Sequence, residues 1–291
     1  MYDMCMHSGG QRHAISGRAK YIIAGIVSSV ILSGIVWLGV YVWGWQHRPH
    51  VLEVHFLSVD SGVVVFIRTP EGKSILIDGG KGQSIFRALS TAMPFYERSI
   101  DVFVLSVGDD AHRAALSSVQ GRFSVGNIII SSSSTEGDSV SFGELNAQVL
   151  FPATSSYPFT KTNAPTLAFS LQYGSTTFIY GGLVTKSEQK YIATKLATST
   201  EGDNLLFLPR GENTGAVAPD FFNKISPDYV VDYKKPRTLP RAIVPATSAT
   251  STKNTKPVFT ITGLGGLTIY NVATEGDIVF VSDGKKFVRT R

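Results

Sequence analysis

Between Tyr21 and Gln46 the chain runs for 26 residues without a charged side chain, and no other feature restricts its possible folds as much. Ile22, Ile23, Ile26, Val27, Val30, Ile31, Leu32, Ile35, Val36, Leu38, Val40 and Val42 supply the apolar surface. About 20 apolar residues in a helix cross the hydrocarbon core of a bilayer, so the run predicts one spanning helix with some tilt. Trp37, Tyr41, Trp43 and Trp45 crowd its C-terminal part, where an interfacial aromatic belt would lie. A cleaved signal peptide is the main rival. Its apolar stretch should span about 7–15 residues with small residues before the cut, whereas this run is longer and ends in Trp-Gly-Trp-Gln. A buried core helix is the bland alternative. Arg12, Arg18 and Lys20 precede the run and only Arg48 follows closely. The positive-inside rule then puts the N-terminus in the cytoplasm and the large domain outside the cell membrane. The expected division is a cytoplasmic tail (1–20), a transmembrane anchor (21–46) and an extracytoplasmic domain (47–291).

The one cysteine, Cys5, precedes the anchor, so the outer domain must be stable without a disulfide. Its length is sufficient to bury a core of its own. Cys5 reads as a plain cytosolic thiol, with palmitoylation or reactivity as alternatives. Charge is uneven: residues 47–232 carry 14 Lys/Arg against 18 Asp/Glu, and residues 233–291 carry 10 against 3. A basic segment on an acidic domain can attract DNA or an anionic envelope polymer. The bland alternative is that lysines merely solubilise exposed strand edges. The basic candidates are Lys234, Lys235, Arg237, Lys285, Lys286, Arg289 and Arg291, with Arg241, Lys253 and Lys256 in the same segment.

Apolar runs predict strands at 52–58, 63–68, 74–77, 102–106, 127–131, 146–151, 167–173, 176–180, 205–208, 229–232, 258–262, 268–270 and 278–282. Helices are expected at 82–93, 111–120, 185–198 and 218–225. Hairpins first, then strand–helix alternation twice, suit an α/β sandwich: two mixed sheets face to face with helices outside. Tyr173-Gly174-Ser175-Thr176 reads as a tight hairpin turn. Residues 131–138 and 245–257, rich in Ser and Thr, read as surface loops. Gly263-Leu264-Gly265-Gly266 is followed by a strand, not by the helix a nucleotide fingerprint needs, so no nucleotide cofactor is expected.

One turn draws chemical interest. Leu105-Ser106-Val107-Gly108-Asp109-Asp110-Ala111-His112 follows an apolar strand and opens a helix, where α/β proteins place ligands. Asp109, Asp110 and His112 are metal-ligand residue types, but a Val and an Ala sit among them. A helix cap at Asp109 or Asp110 and a solvated His112 are the alternative reading. Only His55 and His112 lie beyond residue 50, and a hydrolytic site with two metals would ordinarily use more imidazoles. No G-x-S-x-G elbow supports a serine nucleophile.

Leu52 to Gly62, Val63 to Arg68 and Ile75-Leu76-Ile77-Asp78-Gly79-Gly80 frame that turn. Together they resemble the metallo-β-lactamase-fold domain of ComEC-type competence proteins, with its H-F-L-D-V-G-Q-G-D opening, hairpin and L-I-D-G-G. Asn163-Ala164-Pro165-Thr166-Leu167 is similar to the family's N-N-x-S-L, and Phe178 to Gly182 to its F-x-x-T-G-D. Leu205 to Gly211 is similar to V-x-K-x-P-H-H-G, and Gly276 to Gly284 to the closing D-G-x-I-x-x-x-S-D-G hairpin. The resemblance spans residues 51–291 and implies the αββα metallo-β-lactamase architecture.

The same resemblance implies a degenerate metal site. Against S-H-P-D-A-D-H, the first His is Val107, the second Asp is Ala111, and Asp109 and His112 survive. The bridging Asp falls on Gly182 and the His of P-H-H-G on Arg210, while Ser58 and Val63 replace the two Asp residues of the opening motif. A fixed cation at Arg210 would repel a divalent ion, or bind an anion such as phosphate in the vacated cleft; a surface salt bridge is the alternative. Asp78-Gly79-Gly80 reads as a turn needing glycine's freedom, and His55 as a packed or edge histidine. The first expectation is a membrane-anchored domain that is not an enzyme, holds no metal and binds DNA or another envelope protein. The alternatives are a residual hydrolase, phosphodiesterase- or nuclease-like, using Asp109, His112 and one weakly held Zn or Mn, and a structural protein with a vestigial cleft.

Overall fold

The computed structural model describes residues 17–46, 50–60, 62–80, 82–152, 166–196, 202–209, 217–233, 259–260 and 267–291. The chain divides into two compact units, Met1–Pro49 and His50–Arg291. In the first unit, α1 runs Gly17–Gln46 without interruption. It starts four residues before the expected anchor, because Gly17 to Lys20 continue the same helical turn. Residues 25–42 form the one described helix that is long and apolar enough to cross a membrane.

The second unit opens with β1 (Leu52–Val59), β2 (Gly62–Arg68) and β3 (Ser74–Ile77), a meander of antiparallel neighbours. Then come α2 (Ser84–Ala92), β4 (Ser99–Leu105), α3 (Asp110–Gln120) and β5 (Ser124–Ile130), with β3, β4 and β5 parallel. The chain crosses to a second sheet through β6 (Ser139–Phe142), β7 (Leu145–Phe151), β8 (Ala168–Tyr173) and β9 (Thr176–Tyr180). It continues through α4 (Lys186–Lys195), β10 (Asn204–Leu208), α5 (Pro219–Ile225), β11 (Tyr229–Asp232), β12 (Phe259–Thr260) and β13 (Thr268–Asn271). The short α6 (Val272–Glu275) leads back to the first sheet, which β14 (Ile278–Ser282) and β15 (Phe287–Arg289) complete. Strand orders are β15-β14-β1-β2-β3-β4-β5 and β12-β13-β11-β10-β9-β8-β7-β6.

Period-two alternation sends alternate side chains to opposite faces of each strand, and three cores result. Val54, Phe56, Val65, Ile67, Ile77 and Val104 of the first sheet meet Phe169, Phe178, Tyr180, Phe207 and Val231 of the second. Phe56 sits at the centre, its ring 5.9 Å from Phe178 and 5.0 Å from Phe207. On the far side of the first sheet, Phe66, Leu76 and Phe103 pack against Ile85 and Leu89 of α2 and Val119 of α3. On the far side of the second, Ile179, Leu206 and Val230 pack against Ile192 of α4 and Phe221 and Phe222 of α5. The unit is thus an αββα sandwich of two mixed sheets, as expected.

Two strands were not anticipated. Ser139–Phe142 is mostly exposed, and Phe287–Arg289 is three residues long with Phe287 alone buried, so neither shows a full alternating pattern. The 131–138 segment is less of a surface loop than its serines suggest. Ser131 is fully buried within a turn of 3₁₀ helix and Ser134 is nearly so. The expected loop at 245–257 and the Gly263–Gly266 turn lie outside the described residues.

Candidate functional site

The C-terminal ends of β3, β4 and β9 converge with the start of β8, and there the expected site residues can be placed. Asp109 has an extended backbone and is the N-cap of α3. Its Oδ1 accepts the His112 amide at 2.8 Å and faces the His112 Nδ1 at 2.6 Å. Partial burial works to raise the Asp109 carboxyl, but the His112 amide, ring and charge, with the Ala111 amide, outweigh it and hold the pKa below the usual carboxylate range. Asp110 is nearly fully exposed and pairs with Arg113 at 2.9 Å. Asp109 and His112 are therefore together, each serving as the other's partner.

Val107 does not point to an open cleft. It forms an antiparallel bridge with Thr166, and the Leu167 amide donates to the Ser106 carbonyl at 2.7 Å. Gly182 stands close by at φ 60°. A Cβ built there would collide with the Leu167 carbonyl oxygen, and Thr166 Oγ1 already accepts the Leu183 amide at 3.1 Å. The backbone around 166–167 thus occupies the space a side chain at 182 would need.

Asp78 does something the sequence did not reveal. At φ 61° it is one of two described non-glycine residues in the left-handed region. Its Oδ1 accepts the Ser106 amide at 3.0 Å, and its Oδ2 accepts the Ser106 hydroxyl at 2.6 Å and the Tyr180 hydroxyl at 3.1 Å. One carboxylate therefore ties the ends of β3 and β4 in the first sheet to the end of β9 in the second. Burial, reinforced by the Asp78 charge, pushes the Tyr180 hydroxyl far above its ordinary pKa, so it stays a donor. Glycine follows for two reasons: Gly80 has φ 62°, and at Gly79 a Cβ would lie 2.9 Å from that of Ala115 on α3. Ser106, Thr166 and Tyr180 were missed because their partners are distant in sequence and hydroxyls carry no pattern.

The other candidates are scattered. His55 packs against the edge of Phe66 at 5.8 Å and meets Glu53 at 3.1 Å, a packed histidine. Ser58 lends its amide to Asp277, and Val63 packs against the inter-sheet core. Lys285 and Lys286 are exposed in the β14–β15 turn, where their amides are capped by Asp283. Arg289 lies 4.4 Å over the Tyr270 ring and bridges Glu275 at 2.7 Å, and Arg291 ends the chain. Lys234, Lys235, Arg237 and Arg210 lie outside the described residues.

The metal pair that the resemblance implies was tested against these positions. Asp109 and His112 are closed on each other, Ala111 and Val107 offer no donor, and Gly182 has no room for one. Among the described residues, no group of three or more His, Cys, Asp or Glu side chains converges as a metal site would require. The described residues do not fit a metal. A separate gap of about 420 Å³ lies between the sheets beneath β5 and β6, walled by Val104, Ile129, Phe142, Val149 and Phe169. Such a lining suits an apolar group.

One unit is thus an αββα sandwich of two mixed sheets, and the other holds a single long apolar helix. No family model matches the chain. No curated protein matches it significantly. Among solved structures, it is similar to the metallo-β-lactamase fold protein YhfI from Bacillus subtilis, at 11% identity over 62% of this chain and 85% of that one, TM-score 0.43. It is also similar to a long form RNase Z from yeast, at 9% identity over 79% of this chain and 48% of that one, TM-score 0.44. A putative zinc-dependent hydrolase of the metallo-β-lactamase superfamily from Thermotoga maritima matches at 12% identity over 65% of this chain and 79% of that one, TM-score 0.35. Likeness at these levels transfers no residue role to this chain.

Proposed function

We propose that the chain is a membrane-tethered binding domain that hydrolyses nothing: a degenerate metallo-β-lactamase-like domain related to those of ComEC-type competence proteins. The observation that carries this reading is Gly182. At φ 60° and against the Leu167 carbonyl, the position of the family's bridging ligand has no space for a carboxylate. The closed Asp109–His112 pair agrees with it, because freeing the Asp109 carboxylate for a metal would cost α3 its cap. In this reading Asp78, Ser106 and Tyr180 spend their polar groups fastening the two sheets, and none of the three is left poised to activate water.

The helix at 17–46 serves as the tether, with the N-terminus cytoplasmic and the domain outside. DNA is the partner we favour, held through phosphate contacts by the basic C-terminal segment, where 10 Lys/Arg face 3 Asp/Glu in the sequence. An envelope protein is the alternative partner. The chain has one described span, so its part in DNA uptake would be to hold the polymer near the membrane.

The test is hydrolysis of a generic phosphodiester by the purified full chain supplied with Zn or Mn. The rate should equal that of a His112→Ala variant. A rate that disappears in the variant would establish the residual hydrolase instead.

A further inference from the structure

We propose that the Pro94-Phe95-Tyr96 turn is a second bilayer contact, seating two aromatic side chains in the interfacial layer of the membrane. The proposal rests on the reading of α1 as a membrane anchor. The starting observation is exposure. Phe95 is 87% exposed and Tyr96 58%, whereas the other large apolar side chains exposed in the described part of this unit, Ile128, Val140 and Val288, reach at most 47%. A phenylalanine held almost wholly in water forgoes the burial that usually favours its side chain. Two adjacent aromatics so exposed form a small apolar projection that a partner surface could cover.

The turn is presented rigidly. The Glu97 amide donates to the Pro94 carbonyl at 3.0 Å, closing the turn, and the two rings meet edge to face at 5.5 Å. Glu97 is held by the Arg68 guanidinium at 2.8 Å, and the Ser124 amide donates to the Arg98 carbonyl at 2.8 Å. The pair thus projects from a fixed frame, where a phenol and a phenyl ring can present an apolar body with one wet end.

Its place in the fold points to the bilayer. Arg68 is in register with Glu53, next to the first residue of β1. The Phe95–Tyr96 turn therefore lies at the end of the first sheet where the chain comes in from the anchor. The Tyr173 hydroxyl, donating to the His50 carbonyl at 3.0 Å, fixes the chain at that end. Three residues, 47–49, separate Gln46 of α1 from His50, so the covalent path is at most about 15 Å. An aromatic pair on that end is within reach of the layer where such side chains are enriched.

Charge does not explain the contact. At this end Lys73 is paired with Asp101, and Arg68 with Glu97. The exposed charges at this end are of both signs, with Arg98, Lys285 and Lys286 beside Glu71, Glu144 and Asp283. The attachment is therefore aromatic, insensitive to salt and indifferent to lipid headgroup charge. A flat apolar groove, as a helical peptide would need, is not what this protruding pair offers.

The test uses the full chain in phosphatidylcholine vesicles, with Trp37, Trp43 and Trp45 replaced by Phe and one tryptophan returned as Phe95→Trp or, for comparison, Asp220→Trp. Asp220 is exposed in the first turn of α5, at the opposite end of the sandwich. Flotation after an alkaline wash reads the anchor alone, so its failure overturns the anchor reading and not merely this contact. With flotation intact, lipids brominated high on the acyl chain should quench the Phe95→Trp emission several-fold more than the Asp220→Trp emission, equally at low and high salt. Equal quenching at both positions overturns the proposal. So does a blue-shifted but unquenched Phe95→Trp emission, which would place a protein surface, a second copy included, over the turn.

Discussion

The Nδ1 atom of His112 lies 2.6 Å from Oδ1 of Asp109, the same oxygen that accepts the His112 amide at 2.8 Å. Asp109 is the N-cap of α3, and the His112 ring closes on the same oxygen. Asp109→Ala should therefore cost stability, by about 0.5–1 kcal/mol, the low end for a cap whose side chain is partly solvated. Because the folded carboxyl is held below its ordinary pKa, its contribution is present above the unfolded value of about 3.9. It fades as pH falls through the folded value. Denaturant melts at pH 7 and near pH 3 should show the wild-type advantage at the first and a smaller one at the second.

Gly182→Asp would place a carboxylate where the ComEC-type resemblance puts a bridging ligand, and it should not create a site. A non-glycine residue in the left-handed region costs about 1–2 kcal/mol, and forcing a side chain against the Leu167 carbonyl costs about 1–3 kcal/mol more. The variant should melt at lower denaturant than wild type, with no gain of stability on adding zinc. A zinc-dependent rise in its melting point would mean that the 166–167 backbone yields.

Tyr180→Phe removes one hydrogen bond to the Asp78 carboxylate and leaves the ring in place between the sheets. A bond to a charged acceptor contributes about 1.5–3 kcal/mol. The expected loss lies towards the lower figure, because Ser106 still donates to both Asp78 oxygens. Thermal unfolding of the variant checks it, and an unchanged transition would remove Asp78 as the fastening between the sheets.

DNA binding, if phosphate-based, should fall linearly in log affinity with log salt, at about −0.9 per phosphate neutralised on duplex DNA. Replacing Lys285 and Lys286 by Gln should reduce that slope, whereas Asp109→Ala and His112→Ala should leave affinity unchanged. Neutralising Lys234, Lys235 and Arg237 should weaken binding in the same manner. Absence of any binding by the wild-type chain near 50 mM salt, where weak phosphate contacts are strong, would transfer the case to a protein partner.

Much of the scaffold was legible because apolar alternation is a local signal. Strands such as Ser74–Ile77, Thr176–Tyr180 and Tyr229–Asp232 fall where their residues placed them. Ser139–Phe142 and Phe287–Arg289 escaped because an exposed edge strand has little burial to advertise and a three-residue strand is too short to alternate. At the site, the replacements that the ComEC-type resemblance implies could be read by identity: a valine at 107 or a glycine at 182 cannot coordinate a metal. What could not be read is why the change is fixed in the backbone. The obstruction at Gly182 comes from a carbonyl 15 residues earlier, and the Asp78–Tyr180 bond joins two sheets across 102 residues. Neither contact leaves a trace in local spacing.

In the proposed reading this sandwich keeps the shape of a metal-binding fold without its metal chemistry. Elemental analysis of the purified full chain, after exposure to Zn and Mn and removal of loosely held ions, tests it most directly. The expected result is no stoichiometric metal, in wild type and in a His112→Ala variant alike. About one or two metal ions per chain in the wild type, lost in the variant, would contradict it.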